Sequence, residues 1–128
     1  MNMAVLIMDD AAVVRERIVN LLSEINDIGE IIQAEDADSA ERLAREHKPQ
    51  IIILDIQVPG SDKLRNGIDV LKSVVRYAPA SVVIMLSNYA SPRYRDECRR
   101  AGARYFFDKS SEFDRLPAAI REIMHMGM

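Results

Sequence analysis

Three short stretches of this chain are apolar at every position: AVLIM at 4–8, IIIL at 51–54 and VVIML at 82–86. A strand with one face in water alternates apolar and polar residues. A run without alternation needs apolar surroundings on both faces, as in a parallel sheet covered by helices. Five largely apolar runs stand out, at Met3–Met8, Ile28–Ala34, Ile51–Leu54, Val82–Leu86 and Arg104–Phe107, and three of them contain these continuous stretches. Between and after them, residues recur at spacings of three and four. The sets are Val14, Ile18, Leu21, Leu22 and Ile25; Ala40, Leu43, Ala44 and His47; Ile68, Leu71, Val74 and Val75; Tyr94, Cys98 and Ala101; and Leu116, Ala119, Ile120 and Ile123. Each set predicts an amphipathic helix. Strictly alternating strand and helix predicts an α/β domain with helices on both faces of a parallel sheet.

Terminal signals agree with that division. Asp38 with Glu41 three residues later has the form of a capping box. Lys48-Pro49 stops the second helix and Ala101-Gly102 the fourth. Ser91-Pro92 reads as an N-cap followed by proline at the first helical position. Pro117 belongs in the first turn of the last helix, which places its start near Glu112–Arg115. No internal repeat, linker or low-complexity segment interrupts residues 1–128, so a single domain is expected.

Composition removes several classes of function. Apolar residues make up 48% and charged residues 29%, which suits a folded globule and not a disordered tail. No apolar run approaches the roughly 20 residues of a membrane helix, and no basic stretch precedes the first run as a signal peptide would require. The one cysteine, Cys98, excludes an internal disulfide and a cysteine-rich zinc site. A cytoplasmic location is the expectation. The net charge of −3 is uneven: residues 1–47 hold eleven acids and four Lys/Arg, the remainder nine acids and thirteen Lys/Arg. Overall acidity without a basic stripe predicts that this domain binds neither nucleic acid nor membrane.

Ligands of open α/β sheets bind beyond the carboxyl ends of the strands. Those ends carry Asp9-Asp10 after the first run, Asp55 after the third, Ser87 after the fourth and Lys109 after the fifth. Taken singly, each is explained by a cap, a turn or a surface charge. Together they bring three carboxylates, a hydroxyl and an ammonium to one cleft. Crowded carboxylates repel one another unless a cation joins them. Hard oxygen donors suit Mg2+, which commonly binds one or two carboxylates with water and phosphate oxygens. The constellation reads as a site for Mg2+ and a phosphoryl group.

The motifs LIMDD, IIILDIQVPG, VVIMLS and AGARYFFDKS, with the spacing of Asp10, Asp55, Ser87 and Lys109, resemble the receiver domain of two-component response regulators. The likeness covers roughly Met3 to Met124. It implies a CheY-like, flavodoxin-like (βα)5 doubly wound sheet in strand order 2-1-3-4-5. It also implies roles. Asp55 would be the phosphoacceptor. Asp10, Asp55 and the backbone carbonyl of Gln57 would ligate Mg2+, with Asp9 acting through water. Ser87 and Lys109 would hold phosphoryl oxygens, and Ser87 and Phe106 would form the switch that reshapes the surface of the fourth helix, fifth strand and fifth helix. The implied donor is a sensor histidine kinase or a histidine phosphotransfer protein. The implied output is a protein partner, a fused effector domain or a second copy of the chain. Such a domain catalyses only its own phosphorylation and dephosphorylation, in a bacterial two-component pathway.

Departures from the family pattern are specific. Pro59 follows Asp55 by four as expected, but the glycine usual at eight is missing; Gly67, twelve after, takes its place, so the loop 60–66 is about four residues longer. Asn88 stands where a small residue is usual, and Gln57 and Tyr89 occupy the positions that tune phosphoryl lifetime. Ser110 replaces the proline that commonly follows the lysine, which predicts a trans peptide or a rearranged loop. Phe106 lacks the hydroxyl of the commoner tyrosine. The long loop, Asn88 and Ser110 support a competing expectation, a receiver fold used as a phosphorylation-independent interaction module. Retention of all of Asp9, Asp10, Asp55, Ser87 and Lys109 weighs against it. An FMN site would need hydroxyl- or glycine-rich phosphate loops, and DDAAVV stands after the first run instead. His47 and His125 have no ligand partner at useful spacing, and Cys98 reads as core. Arginines 93, 95, 99, 100 and 104 read as a solvated or salt-bridged face, or as a dock for an acidic partner or another copy.

Overall fold

The computed structural model describes residues 3–56, 66–88 and 91–126. Its elements are β1 (Met3–Met8), α1 (Ala12–Leu22), β2 (Ile28–Ala34), α2 (Ala37–His47), β3 (Ile51–Asp55), α3 (Gly67–Tyr77), β4 (Val82–Ser87), α4 (Pro92–Ala101), β5 (Tyr105–Asp108) and α5 (Leu116–Met126), with a 3-10 turn, Phe113–Arg115, leading into α5. The five strands form one parallel sheet in the order β2-β1-β3-β4-β5. The flavodoxin-like order and the five-strand alternation are as expected. Among the described residues, no helix is long and apolar enough to cross a membrane.

Period-two alternation explains why the central strands are apolar throughout. Leu6, Met8, Ile52, Leu54, Val83 and Met85 face the core formed with α2, α3 and α4. Val5, Ile7, Ile51, Ile53, Ile84 and Leu86 face the opposite core, closed by α1 and α5. Ile52 and Ile53 are both fully buried, on opposite faces. Truncating such a side chain to alanine costs about 2–5 kcal/mol, so polar residues are excluded along these strands.

Several local expectations need correction. The N-cap of α2 is Asp36, not Asp38: its side chain accepts from the Ser39 N–H at 2.8 Å, and that bond holds the carboxyl below its ordinary range. β2 ends at Ala34, so the turn into α2 is short and Asp36 is the residue with extended backbone; Asp38 lies within the first turn. The reciprocal capping box belongs to α3. There the Asn66 side chain accepts from Ile68 and Asp69, and Asp69 accepts from the Asn66 N–H. His47 is exposed, and the buried stripe of α2 is Ala37, Ala40 and Ala44. Val75 is 37% exposed while Val70 is buried, so the buried face of α3, made by Gly67, Ile68, Val70, Leu71 and Val74, is shifted away from Val75 relative to the expected stripe. Ile25 is buried beyond the end of α1.

Other terminal signals fall where the sequence places them. Lys48 and Gly102 end their helices in the left-handed region, and Ser91 caps α4 through the Tyr94 N–H. Pro117 falls in the first turn of α5, but that helix starts at Leu116 and not within Glu112–Arg115, because Phe113–Arg115 form a 3-10 turn ahead of it. Among the described residues there is no cis peptide, so Ser110 follows Lys109 through a trans bond. Cys98 is fully buried; burial, with a smaller contribution from Glu97, pushes its thiol up to about 11.

Candidate functional site

The sheet order places β1 and β3 side by side at the centre. The chain leaves β1 towards β2 on one side and β3 towards β4 on the other, so a crevice opens at their carboxyl ends. Met8 pairs with Leu54 in the last register position of β1 and β3, and the next residues on the two strands are Asp9 and Asp55. Asp9 is 1% exposed and Asp55 4%, whereas Asp10 faces solvent. Carboxylate oxygens of all three lie within 4.8 Å of one another.

Three anions so close require a counter-charge, and Lys109 supplies one. Its ammonium is 2.5 Å from Asp9 Oδ2 and 3.2 Å from Asp55 Oδ1. Burial by itself pushes the lysine down. The hydrogen bond to Asp9 and the charges of Asp55 and Asp9 outweigh that, and the net shift is upward, so the group stays an ammonium. Its backbone is pinned as well: the Lys109 N–H donates to the Ser87 carbonyl at 2.9 Å.

The β1–α1 turn is held from two sides. Asp9 Oδ1 accepts from the Ala11 N–H at 2.9 Å. Arg15, one turn into α1, donates to the Asp9 carbonyl at 2.6 Å and to Gln33 at 3.0 Å. Sequence reasoning missed Arg15; a basic residue one turn after an acidic strand end is the only signal it leaves. On the other side, the Ile56 N–H bonds the Leu86 carbonyl and the Gly67 N–H bonds the Ile56 carbonyl. Gly67 sits so close that an added Cβ would stand 2.2 Å from the Asp55 carbonyl oxygen. That approach explains why a glycine is needed at this position.

A cavity of about 470 Å3 opens over this cluster, lined by Asp9, Asp10, Asp55, Asn88 and Lys109, with Arg17 and Phe113 at its rim. Arg17 stacks on the Phe113 ring at 4.2 Å and lies 3.8 Å from Asp114. Neither Arg17 nor Phe113 stands out in the sequence, because Arg17 lies off the apolar stripe of α1 and Phe113 precedes α5. Val13, also lining the cavity, is 76% exposed.

Asp9, Asp10, Asp55 and Lys109 therefore come together as expected. Ser87 is fully buried at the end of β4, next to Asp108 in the register, and is not among the residues lining the cavity. Phe106 lies on β5, partly buried against the α2–α4 core and bordering a separate groove beside α4. Gln57, Pro59, Tyr89 and residues 60–65 lie outside the described residues. His47 and His125 are both exposed and outside the acidic cluster. Among the arginines, Arg95 pairs with Glu112, and Arg99 and Arg100 both pair with Asp96, so much of this face is salt-bridged.

The donor set fits a hard divalent cation: three carboxylates, clustered closely enough to share one ion, line a cavity open to solvent.

The response regulator receiver domain model matches residues 5–121. Response regulator GacA of Pseudomonas aeruginosa is 26% identical over 119 residues, covering 93% of this chain and 54% of that protein. Protein CcdB of Bacillus subtilis is 31% identical over 122 residues, covering 94% and 96%. The response regulator domain of Thermotoga maritima CheB superposes with a TM-score of 0.81 at 28% identity, covering 98% of this chain and 96% of that one. The chain spans about half the length of GacA and of the Fimbriae Z protein of Salmonella typhimurium. With its sheet order, its acidic cluster and this match over nearly its whole length, the chain belongs to the response regulator receiver domain family.

Proposed function

We propose that residues 1–128 act as one receiver unit, a signalling switch controlled by phosphorylation of Asp55. The observation that carries this reading is the Asp9–Asp10–Asp55 cluster joined by Lys109 at the carboxyl ends of β1, β3 and β5. Asp55 is the nucleophile. One of its carboxylate oxygens forms a bond to phosphorus while the P–N bond of a phosphohistidine breaks, its electron pair leaving with the imidazole. The donor is a sensor histidine kinase or a histidine phosphotransfer protein.

Asp10 and Asp55, with the carbonyl of Gln57, would hold Mg2+, with Asp9 assisting through water. When bound, Mg2+ neutralises charge on the phosphoryl oxygens. Lys109 gives up its contact with Asp55 to a phosphoryl oxygen, and the Ser87 hydroxyl takes another. Phosphorylation replaces one carboxylate charge by about −1.5 to −2 and adds strong acceptors. Movement of Ser87 and Phe106 then alters the α4–β5–α5 surface that a downstream protein, a fused effector domain or a second copy reads. The unit acts in the cytoplasm and its chemistry is confined to its own aspartate.

Thermal unfolding tests this reading, because a ligand of the folded state raises the midpoint. Mg2+ should raise it in the wild type, and Asp10→Asn should abolish most of that shift. Beryllofluoride, a phosphoryl mimic, should raise it further only with Mg2+ and only while Asp55 is present. A wild type indifferent to both ligands would overturn the reading.

A further inference from the structure

One guanidinium ties the expected switch ring to the loop that carries Lys109. Arg95, on α4, stacks over the Phe106 ring with its central carbon 4.9 Å from the centroid. It also donates to the Phe106 carbonyl at 3.3 Å and to Glu112 Oε1 at 2.9 Å. That same Glu112 oxygen accepts from the Asp108 N–H at 2.9 Å, and the Glu112 N–H donates back to the Asp108 carbonyl at 2.8 Å. Asp108 in turn accepts from the Ser110 N–H and hydroxyl, at 2.8 and 2.6 Å. Lys109 sits inside this chain of bonds. Ser110 supplies an N–H that a proline would lack, so the loop is braced by hydrogen bonds.

A planar fork can meet a ring face, a carbonyl and a carboxylate at once only in one arrangement. If the ring turns, the stacking is lost; if the loop shifts, the Glu112 bond is lost. Arg95 and Phe106 both border a surface groove of about 410 Å3 between α4 and β5, which leaves the ring room to move. Taking the phosphoacceptor reading of Asp55 as given, we propose that Arg95 is a positioning residue that favours the resting state, holding Phe106 and, through Glu112, the Lys109 loop until phosphorylation draws them away.

A contact made only at rest opposes the phosphorylated state, so removing it tightens binding of a phosphoryl mimic. The chain has three phenylalanines, which makes fluorine NMR of 4-fluorophenylalanine-labelled protein a direct readout, with Phe106→Leu assigning the resonance. In Arg95→Gln the Phe106 resonance should move in the resting protein while the other two stay. Its affinity for beryllofluoride with Mg2+ should rise roughly three- to tenfold. Arg95→Lys, which keeps the charge but not the fork, should fall between. An affinity within about twofold of the wild type, whether or not the Phe106 resonance moves, would overturn the proposal. The two readings separate cleanly. If the wild type itself ignores beryllofluoride, the phosphoacceptor reading fails and this proposal falls with it. If the wild type responds and Arg95→Gln responds identically, the Arg95 assignment alone is wrong.

Discussion

Gly67→Ala should destabilise the protein by about 3 kcal/mol or more and disturb the site in the same stroke. The added methyl would stand 2.2 Å from the Asp55 carbonyl oxygen, 2.8 Å from its carbon and 3.0 Å from the Ile56 Cα. All three atoms are backbone, so no flexible side chain can step aside. Relief requires the N-terminus of α3 to withdraw from the end of β3. That breaks the 2.9 Å bond from the Gly67 N–H to the Ile56 carbonyl and displaces Asp55 with it. Urea unfolding should show the loss of stability, and amide spectra should place the largest perturbations at 55–56 and 66–69. A variant as stable as the wild type would mean that the two backbones are not held in contact.

Lys109→Met comes next in size. The lysine is the cation shared by Asp9 and Asp55, and all three side chains are at most 10% exposed. Removing one partner of a buried charged group leaves the others uncompensated, at about 3–5 kcal/mol for a well-enclosed pair. The open cavity and the solvent-facing Asp10 lower that figure here to about 2–3 kcal/mol. The distinctive expectation is that Mg2+ restores part of the loss, because a divalent ion among the carboxylates supplies the missing charge. Unfolding curves with and without Mg2+ measure it. A Lys109→Met protein of undiminished stability without Mg2+ would show that the ammonium does not hold the cluster together.

These effects also show what a sequence of this kind displays and what it conceals. The central strands β1, β3 and β4 are legible because burial on both faces writes itself as uninterrupted apolar runs, whereas β2, IGEIIQA, is an edge strand with polar residues interspersed. Asp9, Asp10, Asp55 and Lys109 were legible because each follows directly from a strand end. The strand order was not readable from periodicity and came from family resemblance. Arg15 and the Arg95–Glu112 link escaped notice because they join residues that no local pattern pairs: a carbonyl accepts one and a loop the other. The α2 cap was misplaced by two residues, since Asp36 and Asp38 are chemically equivalent and only backbone conformation distinguishes them. Gly67 was identified by counting from Asp55, but its reason, the near contact of two backbones, is visible only in three dimensions.

The central claim is that the cluster exists to receive a phosphoryl group on Asp55. The most direct measurement is intact-protein mass after incubation with a small-molecule phosphodonor, with Mg2+ or with a chelator, on the wild type and on Asp55→Asn. One phosphoryl adduct that requires Mg2+ and is absent from Asp55→Asn is the predicted result. An adduct that persists in Asp55→Asn, or a wild type that binds Mg2+ and stays unmodified by both a small phosphodonor and a phosphorylated histidine kinase, would contradict it.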